Sequence, residues 1–160
     1  MISCYLLFNL LVILFLNNLS FEFNYKETLI KEYDNWVLLL RPKQVTIGSL
    51  VIACKEDAES MSAISYKSSS EFYVIVKEVE CVMKRLFNFD KINYLALMMV
   101  DKHVHFHVFP RYSGLVLFNG RSYQDINWPN SPDLSEELEF RKKDFNELRI
   151  VLSKYFLSNE

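Results

Sequence analysis

The sequence predicts an α+β protein in which helices pack on one antiparallel sheet, and three features carry this prediction. Two short apolar runs rich in Val, Leu and Ile, residues 36–40 and 49–54, are joined by a turn-like stretch, which favours an antiparallel hairpin. A long stretch with apolar residues every three or four positions follows, as in a helix with one buried face. The 160 residues are 51% hydrophobic and 24% charged, which is typical of one compact domain.

The first half of the chain contains two further predicted elements after the hairpin. Residues 56–64 are predicted to form a short helix. The run Ser68-Ser69-Ser70-Glu71 resembles a capping box, in which a serine oxygen and a glutamate bind free N–H groups at a helix start. The helix that begins there has a predicted apolar face of Phe72, Val76, Val79, Met83 and Leu86.

The second half is predicted to hold three strands and a closing helix. The strands cover residues 92–100, 103–109 and 115–118, with a turn at Asp101-Lys102 and a stop at Pro110. Residues 119–133 are irregular. The closing helix is predicted to begin near Asp133, with an apolar stripe of Leu138, Phe145, Leu148, Leu152 and Tyr155.

The N-terminal residues differ from the rest of the chain. Residues 1–22 form a mostly apolar extension, without any charge through Phe21, and residues 23–160 form a single predicted domain. Three interpretations of the extension stay open: a start codon assigned too far upstream, a signal peptide, or a membrane anchor. Membrane association is expected only through this segment.

Charge and cysteine content restrict the partners and the compartment. The net charge of −2 gives no general attraction for nucleic acid. Three widely spaced cysteines form neither a disulfide framework nor a CxxC pair, and Cys54 and Cys81 are predicted to be reduced core thiols. The cytoplasm is therefore the expected location.

All three histidines fall within five residues and alternate with apolar residues. Successive side chains of a strand point to opposite faces, so His103, His105 and His107 are predicted to share one face while Val104 and Phe106 face the core. One alternative is a half-exposed strand that uses histidine as its polar residue. Another is a metal site built on the His-x-His pair, although His103 and His107 are about 13 Å apart along an extended strand.

Phosphate chemistry explains this spacing better than either alternative. A neutral imidazole can attack phosphorus and form a covalent intermediate, and its ordinary pKa of about 6.5 suits neutral pH. Neighbouring imidazoles can donate hydrogen bonds to the phosphate oxygens or assist the leaving group. No metal or other cofactor is expected.

The run His103-Val104-His105-Phe106-His107-Val108-Phe109, followed by Pro110-Arg111, resembles the motif of the histidine triad (HIT) family. Arg41-Pro42, Gly48 and Trp128-Pro129 are also similar to the family, and the resemblance covers roughly residues 28–133. It implies a five-stranded antiparallel sheet, a homodimer whose sheets join, and nucleotide hydrolysis or nucleotidyl transfer at an α-phosphate. The substrates implied are nucleoside phosphoramidates or dinucleoside polyphosphates.

The resemblance also implies roles for individual residues. His105 becomes the nucleophile, His107 contacts the phosphate, and His103 supports orientation or the leaving group. The third histidine of the motif, His107, stands where one transferase branch has glutamine, which favours hydrolysis. Asn93 is a candidate substrate contact, or else a structural asparagine of a strand edge.

One stretch departs from the family. Many members carry a Gly-Gln-Ser-like sequence before the triad, where this chain has Met98-Met99-Val100-Asp101. A nucleotide-binding module with little turnover therefore stays open beside the hydrolase. Asp101 is expected to cap a turn. Lys102 and Arg111 are expected to be either solvated cations or phosphate contacts, and Trp128 either packs in the structure or contacts the base or a second copy.

Overall fold

A computed structural model describes residues 25–158, and its centre is a five-stranded antiparallel sheet. The strands are β1 (Leu29–Glu32), β2 (Trp36–Leu40), β3 (Leu50–Cys54), β4 (Lys91–Leu95) and β5 (His105–Arg111), in the spatial order β1-β2-β3-β5-β4. A separate two-stranded ribbon consists of β6 (Val116–Phe118) and β7 (Arg121–Tyr123). The helices are α1 (Tyr25–Thr28), α2 (Tyr66–Phe87) and α3 (Lys142–Leu157), with a 3-10 turn at Met61–Ala63.

One face of the sheet carries the main hydrophobic core. It is made of alternate strand residues, among them Trp36, Leu38 and Ile52, against which buried residues of the long helices pack. The Trp36 indole N–H donates to the Ser68 carbonyl of α2 at 2.9 Å, so the buried ring leaves no polar group unpaired. Each large apolar side chain buried here stabilises the fold by about 1.5–3 kcal/mol.

The opposite face carries a second, smaller apolar cluster. Its buried members are Val37, Leu39, Val51 and Ala53, and partly buried Tyr25 and Leu29 pack against them. In the register of β3 and β5, Ala53 lies opposite His105 and Val51 lies opposite His107. Directly opposed residues of an antiparallel pair share a face. We call this side of the sheet the histidine face and the other side the core face.

The predicted α+β class and five-stranded antiparallel sheet are confirmed, but the fifth strand was wrongly placed. Residues 115–118 were expected to supply it, whereas the ribbon holds Val116–Phe118 apart from the sheet. The missing strand is β1, whose four residues include Lys31 and Glu32 and give little strand signal. It is held by its pairing with β2 and by contacts with α3.

Two helix predictions in the first half were wrong, one in the existence of the helix and the other in its first residue. Residues 56–64 form only the 3-10 turn. The N-cap of helix α2 is Ser65, three residues before the predicted cap Ser68, and its hydroxyl accepts from the Ser68 N–H. Glu71 has another function: its carboxylate accepts from the backbone N–H groups of Asp34 and Asn35.

Boundaries in the second half also differ from the predictions. Strand β4 ends at Leu95 rather than at residue 100. Strand β5 begins at His105 and continues through Pro110, which lies past the last β5 residue paired with β3. A proline is tolerated there because the strand has a neighbour on one side only. Helix α3 begins at Lys142, and Cys81, expected in the core, is exposed.

The predicted N-terminal extension, residues 1–22, lies outside the described residues. Within residues 25–158, no helix combines the length and the apolar character that a membrane crossing requires.

Candidate active site

Two of the three histidines lie side by side on β5. The His105 and His107 rings are nearly perpendicular, with centroids 4.9 Å apart, and their Nε2 atoms are separated by 3.3 Å. His103 precedes the strand, and its Nε2 lies 3.6 Å from Asp57 Oδ1. The predicted shared face is therefore found for His105 and His107, whereas His103 belongs to the loop that leads into the strand.

A backbone hydrogen bond fixes the tautomer of His105. Its Nδ1 lies 2.7 Å from the His103 carbonyl oxygen, which can only accept, so Nδ1 carries the proton. In the neutral ring, Nε2 then holds the lone pair. His103 thus acts on His105 through its main chain.

His107 is held in its neutral form. Burial is the largest of three causes, followed by the neighbouring His105 and Arg41, that together lower the pKa of His107 to about 4. Because Nε2 of His105 carries a lone pair, the 3.3 Å contact between the Nε2 atoms is a hydrogen bond when the His107 proton lies on Nε2. The pair therefore combines a nucleophilic nitrogen with an adjacent N–H donor.

The loop between β4 and β5, which contains Met98, Met99, Val100 and Asp101, brings the chain to the histidines. Met98 has a φ of 46°, in the left-handed region that favours glycine. Met99 and Val100 are exposed. Asp101 Oδ1 accepts from the His103 N–H at 3.0 Å, as expected for a residue that caps a turn.

Asn93 lies on the histidine face of β4. It is opposite Phe109, and its neighbour Leu95 is opposite His107. Its side-chain oxygen accepts from Arg111 Nη1 at 3.0 Å. That bond orients the amide group. On the same face of β4, Asn93 lies two residues from Leu95, the residue opposite His107.

Arg111 has a different role from the two that the sequence suggested. It is neither a solvated cation nor a free phosphate contact, because its side chain is 3% exposed and forms two hydrogen bonds with the Asp125 carboxylate at 2.6 and 3.1 Å. Arg111 Nη2 also donates to the Asn130 carbonyl. The arginine therefore joins Asn93 to the segment that follows the ribbon. Lys102, the other flanking cation, is exposed.

A cleft of about 730 Å³ lies beside β4. Asn93, Leu95 and Arg111 line it from the sheet, and Trp128 lines it from the segment of residues 128–132. Through Leu95 the cleft adjoins His107, which is half-buried, while His105 is 3% exposed. None of the three histidines is itself among the residues that line this cleft.

Arg41 also lies beside the histidine pair, although the sequence marked it only as part of the Arg41-Pro42 resemblance and not as a candidate site residue. Its guanidinium carbon lies 5.7 Å from the centre of the Phe109 ring. Phe109 in turn stacks against His107, with ring centroids 6.2 Å apart. No local pattern in the sequence places position 41 next to position 109, because only the β2-β3-β5 strand order does so.

Metal binding was an alternative for the His-x-His pair. Two imidazole nitrogens 3.3 Å apart could both reach one ion. Among the residues that the structure describes, no group of three or more His, Cys, Asp or Glu side chains is arranged to hold a metal.

The chain was compared with known proteins. The family model for the HIT domain matches residues 22–114. None of the curated proteins in the comparison matches the chain.

Several solved structures share the fold. A histidine triad (HIT) protein from Sinorhizobium meliloti is 16% identical with a TM-score of 0.67, covering 90% of this chain and 94% of its own. A histidine triad protein from Marinobacter aquaeolei is 15% identical with a TM-score of 0.67, covering 83% and 91%. A hypothetical histidine triad nucleotide-binding protein from Sulfolobus tokodaii is 19% identical with a TM-score of 0.61, covering 82% and 84%. At these levels of identity, the similarity to the three structures establishes the fold alone.

Proposed function

The chain belongs to the histidine triad (HIT) family, and we propose that it hydrolyses nucleotides at the α-phosphate through a covalent intermediate on His105. The family supports nucleotide binding or hydrolysis in general terms. The particular reaction rests on one observation, the hydrogen bond from His105 Nδ1 to the His103 carbonyl, which leaves Nε2 as the nucleophilic nitrogen.

The reaction consists of two displacements at phosphorus. In the first, the Nε2 lone pair of His105 forms a bond to the α-phosphorus, and the bond from phosphorus to the leaving group breaks. The imidazole becomes positively charged, and the His103 carbonyl stabilises this charge through the proton on Nδ1. In the second, water attacks phosphorus, the P–N bond breaks, and a nucleoside monophosphate leaves while His105 is regenerated. The proton that the water loses balances the one that the leaving group took up in the first step.

Two neighbours assist this chemistry. Neutral His107 places an N–H beside Nε2 of His105, where it can donate to an oxygen of the phosphate as negative charge develops. Asn93 contacts the substrate with the amide N–H₂ group, since its oxygen is bonded to Arg111. His103 orients His105 through its carbonyl, and we propose that its side chain also supports the leaving group.

The substrates proposed are nucleoside phosphoramidates or dinucleoside polyphosphates. Incubation with adenosine phosphoramidate and with diadenosine tetraphosphate is expected to release AMP. Tight binding of both compounds without AMP would instead identify a nucleotide-binding module. Activity that disappears with a chelator and returns with one zinc per chain would favour the His-x-His metal enzyme.

The number of displacements can be tested separately from the identity of the substrate. A substrate made chiral at the α-phosphorus with sulfur is hydrolysed in ¹⁸O-labelled water. Two displacements at phosphorus retain its configuration, whereas direct attack by water inverts it. Retention is the expected result, and inversion would contradict the covalent intermediate.

We further propose that the protein is a cytoplasmic homodimer with joined sheets. Strand β4 lies at the edge of the sheet, where pairing with a second copy would continue the antiparallel ladder. The free thiols of Cys54 and Cys81 are consistent with a reducing compartment. Light scattering coupled to size-exclusion chromatography is expected to give twice the chain mass of 19.0 kDa.

A further inference from the structure

We propose that Arg41 binds a second anionic group of the substrate, next to the phosphate that His105 attacks. This inference rests on the proposed function and narrows it to nucleotides that carry another phosphoryl group. The group belongs either to the leaving chain, as in a dinucleoside polyphosphate, or to the ribose. Both sources present the same chemistry to a guanidinium.

Arg41 is fixed in position by its main chain. It follows β2, and its N–H donates to the Ser49 carbonyl just before β3 at 2.9 Å. From there its side chain passes the start of β3 and lies over Phe109 of β5. The guanidinium therefore enters the histidine face from the side opposite Asn93, with Phe109 between the two.

The distances suit a group adjacent to the reacting phosphate. Phe109 follows His107 by two residues, a step of about 6.6 Å along a strand. Because the guanidinium lies above Phe109 rather than above His107, it can contact what is attached to the reacting phosphate. It leaves the phosphate itself to the histidines.

The charge of Arg41 is poorly compensated within the described residues. Its side chain is half-buried, yet no carboxylate there forms an ion pair with it, and the one side-chain hydrogen bond goes to the Lys43 carbonyl. A guanidinium has five N–H donors and stays protonated. Burial of this charge lowers the pKa of Arg41, and Glu137 offsets it only at longer range.

Arg111 shows what a neutralised arginine looks like on the same face. Its guanidinium is paired with Asp125 and bonded to Asn93 and Asn130. Arg41 has no such carboxylate among the described residues, and its guanidinium has further N–H groups that can donate to a ligand. An incoming anion would therefore gain charge-assisted hydrogen bonds from Arg41.

The inference is tested by comparing substrates that differ in one anionic group. The three compounds are adenosine 5′-phosphoramidate, diadenosine tetraphosphate, and the phosphoramidate with an added 3′-phosphate. Each is assayed with the wild-type protein, Arg41→Gln and Arg41→Lys. Lys43→Gln is the matched control, since it removes an exposed positive charge two residues away.

Arg41→Gln is expected to lower kcat/KM by about 10- to 100-fold for one of the two compounds with a second phosphoryl group. For the plain phosphoramidate the loss is expected to be several-fold smaller than for that compound, and Arg41→Lys should retain part of the preference. A loss confined to diadenosine tetraphosphate assigns the leaving chain, and a loss confined to the 3′-phosphate compound assigns the ribose. An equal loss on all three compounds, with a lowered Tm, would show that Arg41 only packs on Phe109 and would overturn the inference.

A binding measurement separates this inference from the proposed hydrolysis. Adenosine 3′,5′-bisphosphate, adenosine 5′-diphosphate and AMP compete with a fluorescent nucleotide for the wild-type protein and for Arg41→Gln. A preference for a two-phosphate ligand that Arg41→Gln removes supports the anion site even if no compound is hydrolysed. Equal affinities in both proteins would contradict it even if hydrolysis is observed.

Discussion

The two faces of the sheet are built from alternate residues of the same strands, but they differ in how their side chains are held. Many overlapping apolar contacts stabilise one face, and specific polar pairs organise the other. On the core face, Phe106 contacts Trp36 and Phe72, and the surrounding apolar residues overlap in their contacts. On the histidine face two polar side chains each depend on one specific partner: His105 binds the His103 carbonyl, and Arg111 binds Asp125. Substitutions should therefore affect stability gradually on the core face and affect function abruptly on the histidine face.

The largest effect is expected at His105. The variant His105→Ala removes the nucleophile, so hydrolysis should fall by at least about 10⁴-fold. Position 105 lies opposite Ala53, so an alanine there would have an apolar neighbour, and we expect the fold to stay intact. Steady-state rates report the loss, and thermal unfolding reports the fold.

Activity within about 10-fold of the wild type in His105→Ala would contradict the assigned nucleophile. Loss of the folding transition together with activity would leave the comparison between faces unsupported, because the site would then be part of the structural core.

The next largest effect is expected at Asp125. Replacement by Asn removes the charge that neutralises buried Arg111, and breaking a buried pair in this way costs about 3–5 kcal/mol of unfolding free energy. Since Arg111 also holds Asn93, KM for the nucleotide should rise as well. Urea unfolding and substrate titration measure the two effects. An unchanged free energy of unfolding would contradict the structural role given to this pair.

A smaller effect is expected on the core face. Ile52 is fully buried and lies opposite Phe106. Removing one methyl group in Ile52→Val should lower the free energy of unfolding by about 1 kcal/mol. The kcat of the folded protein should not change, because the neighbouring positions on the histidine face keep their partners. A change in kcat beyond about 3-fold would contradict the prediction that core-face substitutions affect stability alone.

The smallest effect concerns pH. The pKa of His107 is about 4 in the folded protein, against an ordinary value of about 6.5 in the unfolded chain. Between these values the unfolded chain binds more protons, so this residue's contribution is complete above pH 6.5 and is lost as the pH falls toward 4. We expect less than about 1 kcal/mol from it, because solvent screens the half-buried ring.

The measurement for His107 compares unfolding free energies at pH 7.5 and pH 4.5 for the wild type and His107→Gln. The carboxylates titrate in both proteins, so the difference between the two pH responses isolates the imidazole. The variant should lose less stability on acidification. Equal losses would show that His107 titrates normally in the folded state.

Much of this architecture could be predicted because it follows from local patterns. Alternation placed His105 and His107 on one face, and helical spacing identified the long helix. Strand β1 was missed because its stability comes from β2 and α3 rather than from its own composition. The start of α2 was misplaced because Glu71 is used by Asp34 and Asn35, which are distant in sequence.

The polar site was less predictable than the fold for a similar reason. Its central pair could be read from a five-residue pattern, but Arg41 and Asp125 reach β5 from separate parts of the chain. Arg111 was expected either in solvent or at a phosphate, since nothing near it in sequence announces Asp125 as its partner. Strand order and side-chain direction, which single-sequence patterns do not specify, bring these groups together.

The assignment of His105 as the nucleophile is tested most directly by mass spectrometry of the protein quenched with alkali during turnover of diadenosine tetraphosphate. We predict a nucleotidyl adduct on the peptide that contains the triad, with fragment ions that place it on His105, and no adduct in His105→Ala. Turnover without any adduct, or an adduct on His103 or His107, would contradict this assignment.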